Sequence, residues 1–111
     1  MKRQNFNGAE FLRQVGMEYD HKVTVLLKAI DLAEETKDVQ RLVGLRSVAL
    51  SWVSYFEYLR EKIDRNRTAK DPSTKETLEF IGEQIRFFSL LAQEVKKKIY
   101  ELNIKNNLRL A

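Results

Sequence analysis

Apolar residues return every three or four positions along most of this chain. The first series is Leu12, Val15, Tyr19, Val23, Leu26, Ile30 and Ala33. A second runs Leu42, Leu45, Ala49, Trp52, Phe56, Leu59 and Ile63, and a third Leu78, Ile81, Ile85, Phe88, Ala92, Val95, Ile99 and Leu102. This spacing puts each series on one side of an α-helix. The first two series are out of phase. Carried past Ala33, the first seam lands on Lys37, Gln40, Gly44, Ser47 and Ser51, none suited to a core. The chain is therefore expected to reverse at Glu34–Asp38, with Thr36 or Asp38 capping the next helix; a long kinked helix is the alternative. The other break, Arg65 to Thr74, is polar and holds the single proline.

The ends carry their own signals. Asn7 with Glu10 forms a capping-box pair, with Phe6 and Phe11 placed to act as the hydrophobic staple. Ser73 and Glu76 repeat the box, and Pro72 fits the first helical turn if Asp71 is the cap. Asn103, Asn106 and Asn107 are expected to fray the last helix. The expectation is one all-α domain over residues 1–111, an antiparallel three-helix bundle with long helices near 7–35, 38–66 and 73–104.

Helix 2 carries more apolar surface than one seam needs. Val43, Leu50 and Val53 make a second line, and Val48, Tyr55 and Tyr58 add to it. Gly44, Ser47, Ser51 and Ser54 form a stripe of small residues, which lets another backbone come close. Helix 3 has surplus in Phe80, Phe87 and Leu91. A lone bundle would leave part of this surface in water, and such surfaces mark contacts with other molecules. Gly44, Ser47, Leu50, Ser51, Val53, Ser54, Phe80, Phe87 and Leu91 are thus the candidate protein interface, for a protein partner or for self-association.

Charge adds a rival. The 111 residues carry a net charge of +4, and the positive excess falls after residue 36. Arg60, Lys62, Arg65, Arg67 and Lys70 cluster around the end of helix 2, and Lys96, Lys97 and Lys98 sit late in helix 3. In an antiparallel bundle the late lysines, with Lys105 and Arg109, would approach Lys37, Arg41 and Arg46. Clustered positive charge suits phosphate backbones, with Tyr55 or Tyr58 able to stack on a base. It also suits helix carboxyl termini without any ligand. Nucleic acid is therefore a possible partner.

Catalytic chemistry is not legible. Glu18 and His21, the only histidine, have the Glu-x-x-His spacing of di-iron bundles but lie off the Val15, Tyr19, Val23 seam. Arg65-Asn66 at a helix end resembles the start of the Arg-Asn-x4-His motif of HEPN ribonucleases, yet Asp71 stands where the histidine belongs. No phosphate-cradling glycine loop or nucleophile elbow occurs, and the serines have no candidate base. The expectation is no enzyme, no metal, no cofactor and no small-molecule substrate. With no cysteine, no apolar leader and no apolar run long enough to span a bilayer, a cytoplasmic protein without a membrane role is expected. The leading functional expectation is a helical-bundle subunit or adaptor that works by protein contact in a larger assembly. The alternative is a basic module on an RNA or DNA backbone. It is like a small helical subunit of a CRISPR-type ribonucleoprotein effector complex in size, helicity and charge only.

Overall fold

The computed structural model describes residues 8–65 and 72–110, with side chains for 18–65 and 74–105. Three helices account for it: α1 Gly8–Glu35, α2 Val39–Arg65 and α3 Pro72–Leu110. The all-α, three-helix expectation is met. Phe6, Asn7, Glu10 and Phe11, which carry the first capping box, lie outside the described residues or side chains, as do Asp71 and Ser73. The start of α3 on Pro72 is the position at which proline costs no hydrogen bond.

The α1–α2 connection is a reversal, because the backbone at Lys37 turns left-handed, with φ at 58°. Its N–H bonds the Glu34 carbonyl at 3.1 Å and the Asp38 N–H bonds the Ala33 carbonyl at 2.8 Å. Those two bonds are the Schellman closure of a helix, usually built on glycine. Asp38 then opens α2, its Oδ1 accepting the Arg41 N–H at 3.1 Å. Asp38 is the cap; the Thr36 hydroxyl donates backward to the Leu32 carbonyl at 2.9 Å and belongs to α1.

The end of α3 departs from expectation. The helix does not fray at Asn103 but runs on to Leu110, giving 39 residues against 28 for α1 and 27 for α2. Asparagine costs a helix only a few tenths of a kcal/mol relative to average residues, and neither Gly nor Pro follows to stop it. At 1.5 Å per residue α3 is about 58 Å long, which sets the long dimension of a molecule measuring 64 × 25 × 23 Å.

The core is a seven-residue repeat. Tyr19, Leu26 and Ala33 on α1, Leu42, Ala49, Phe56 and Ile63 on α2, and Ile81, Phe88, Val95 and Leu102 on α3 are all buried. Half-buried Leu45, Trp52 and Leu59, with Leu78, Ile85 and Ile99, fill in beside them. A strict heptad keeps the seam facing its neighbours only if the helices wind gently around each other. The widest layer is aromatic. Trp52 stacks on Phe88 with centroids 5.6 Å apart, and Tyr19 meets both Trp52 and Phe56 edge-on at 5.5 and 5.7 Å. Partners along α3 advance from Gln84 at Tyr19 to Lys98 at Glu34, so α1 and α3 run side by side in the same sense.

Candidate protein-contact surface

With the buried heptad turned inward, its outward counterpart on α2 is the row Gly44, Ser47, Ser51, Ser54. All four are exposed. A methyl group added at Gly44 would meet nothing within 4 Å, so none of the described residues packs against it. The serines are also self-contained. Ser51 donates to the Ser47 carbonyl at 2.9 Å and Ser47 to the Val43 carbonyl at 3.3 Å. A hydroxyl bonded back into its own helix can be covered without losing a water partner.

Apolar side chains flank the stripe on both sides. Leu50 and Val43 border one edge, exposed by 39% and 51%; Val48 and Tyr55 border the other, both at 43%. These are large for residues of this kind in contact with water. Val53 is different: it is half-buried and packed against the core. On the Val48–Tyr55 side, α1 and α2 enclose an open groove of about 610 Å³ whose floor includes Tyr19, Trp52 and Ser51 and whose rim carries Glu18 and Lys22.

The expected help from α3 does not join this surface. The Phe80 ring meets Tyr19 at 6.1 Å and Phe56 at 6.4 Å, so Phe80 is half a core residue facing α1. Phe87 is one heptad further along the same side, and Leu91 one turn beyond that. Phe87 is 38% exposed and Leu91 half-buried. Of the nine candidate residues, Gly44, Ser47, Leu50, Ser51 and Ser54 share the exposed side of α2, Val53 packs on the core, and Phe80, Phe87 and Leu91 form a separate strip on α3.

The basic candidates are diluted by acids. Arg65 pairs with Glu61, and Arg60 shares a shallow recess with Glu57, Glu61 and Asp64. Lys62 lies over the Tyr58 ring, 4.9 Å from its centroid. Arg67 and Lys70 lie outside the described residues. The late lysines do approach the α1–α2 turn as expected for Lys37: it shares a cleft of about 370 Å³ with Lys97, Lys98 and Lys105, but Glu34, Glu94 and Glu101 line it too. Arg41 and Arg46 do not reach that cleft. Lys98 is held by Glu34; the hydrogen bond to Glu34, with Glu94 and Asp31 nearby, raises its pKa despite partial burial. Lys96 is exposed.

Glu18 and His21 are both exposed. Among the described residues no group of three or more His, Asp or Glu side chains comes together as a metal site, and no helix is long and apolar enough to cross a membrane. Among the described residues Tyr19 is the strongly perturbed acid: burial first, and the Asp20 charge second, push its phenol up to about 12. Its hydroxyl donates to Gln84 Oε1, which makes it a structural group.

No protein-family model, curated protein or solved structure matches this chain. Function therefore rests on its own surfaces. Sequence reasoning missed six exposed apolar side chains among the described residues: Val25, Leu27 and Leu32 on α1, and Leu90, Tyr100 and Ile104 on α3, with Tyr100 the most exposed at 66%. For two of them the signal was present, since Val25 and Leu32 are a heptad apart and each one position off the buried seam.

Proposed function

We propose that this chain is a non-catalytic helical module that works by contact with another protein, as a subunit or adaptor in a larger assembly. One observation carries the reading. The outward half of α2 presents Val43, Val48, Leu50 and Tyr55 to water around a stripe of small residues that are all exposed among the described residues. Burying such a patch returns roughly 25 cal/mol per Å² of apolar area, and charges at its rim then select the partner. The test is purification from the native host with wild-type chain and with Leu50→Glu. An associated protein that survives nuclease and high salt, and is lost with Leu50→Glu, supports the reading. A chain that recovers no protein partner under gentle conditions sinks it.

The second reading, a basic module on a nucleic-acid backbone, is favoured by the gathering of Lys37, Lys97 and Lys105 around one cleft. It is opposed by the three glutamates in the same cleft and by the Lys98–Glu34 and Arg65–Glu61 pairs. It requires RNA or DNA binding that weakens steeply between low and physiological salt, as phosphate contacts do. Charge reversal at Lys96 and Lys97 must then abolish it.

A further inference from the structure

We draw no further inference here: the strongest candidate, the open groove between α1 and α2 with Tyr19, Trp52 and Ser51 on its floor, adjoins the α2 surface already described, and with one acid and one base on its rim, Glu18 and Lys22, nothing in the structure shows what covers it.

Discussion

The Tyr19 hydroxyl on α1 donates to the side-chain oxygen of Gln84 on α3, across the layer where Trp52, Phe56 and Phe88 meet. A phenol at 6% exposure needs such a partner, and the bond fixes where α1 sits along α3. Tyr19→Phe keeps the ring but strands the Gln84 oxygen. Urea unfolding should show a loss of about 1–2 kcal/mol. A variant as stable as wild type would mean the bond contributes nothing.

Alkali should act through the same group. The folded phenol is pushed up to about 12 from an unfolded value of 10.0. The folded state therefore favours the protonated form. Its contribution is complete below pH 10 and disappears as pH rises through about 12. Stability followed from pH 9 to 12 should fall more in wild type than in Tyr19→Phe; parallel curves would contradict this.

Lys37 holds a left-handed backbone without being glycine. A residue with a Cβ is strained there by about 1–2 kcal/mol, and glycine is not. Lys37→Gly should raise the free energy of unfolding, read from urea denaturation, by close to 1 kcal/mol. Asp38→Ala should lower it by about 1 kcal/mol through loss of the α2 cap. The two shifts have opposite sign, which separates the turn's backbone from its cap.

Phe56 and Phe88 are fully buried, while Leu90 is 58% exposed. Phe88→Ala should cost about 3–5 kcal/mol, a large part of the stability of a domain this size. Leu90→Ala should stay within about 0.5 kcal/mol. Thermal melts of the pair measure the contrast, and similar losses would contradict the burial pattern.

The Lys98–Glu34 bridge ties the ends of α1 and α3 in partial exposure. Its acid raises the Lys98 pKa, so its contribution is complete below the ordinary lysine pKa and lost as pH rises through the folded one. Glu34→Gln should cost no more than about 1 kcal/mol at neutral pH, with the difference from wild type closing in strong alkali. A wider gap in alkali would reverse the sign argued here.

Much of this fold is local, and so was legible in the residues. Periodicity marked the three seams, and the phase jump after Ala33 placed the reversal within Glu34–Asp38, because apolar side chains must share one side of a helix to be buried together. Asp38 and Thr36 were both legible as caps of α2, and Pro72 and Ser73 as starts of α3; the structure decides for Asp38 and Pro72. The end of α3 was not legible, since asparagine is a weak stop and local propensity is too small to decide it. The exposed α2 stripe was legible as surplus, because one helix cannot bury residues on all its sides against two neighbours.

Only the tertiary structure decided which neighbour receives each surplus side chain. It turned Phe80 into a core ring against Tyr19, set Val53 on the core, and left Leu50 and Gly44 open. It also paired Lys98 with Glu34, residues far apart in the chain, and so took one cation out of the basic cluster. Helical period fixes the side a residue occupies. What covers that side depends on the rotation and register of the other two helices, which are set by packing between distant segments.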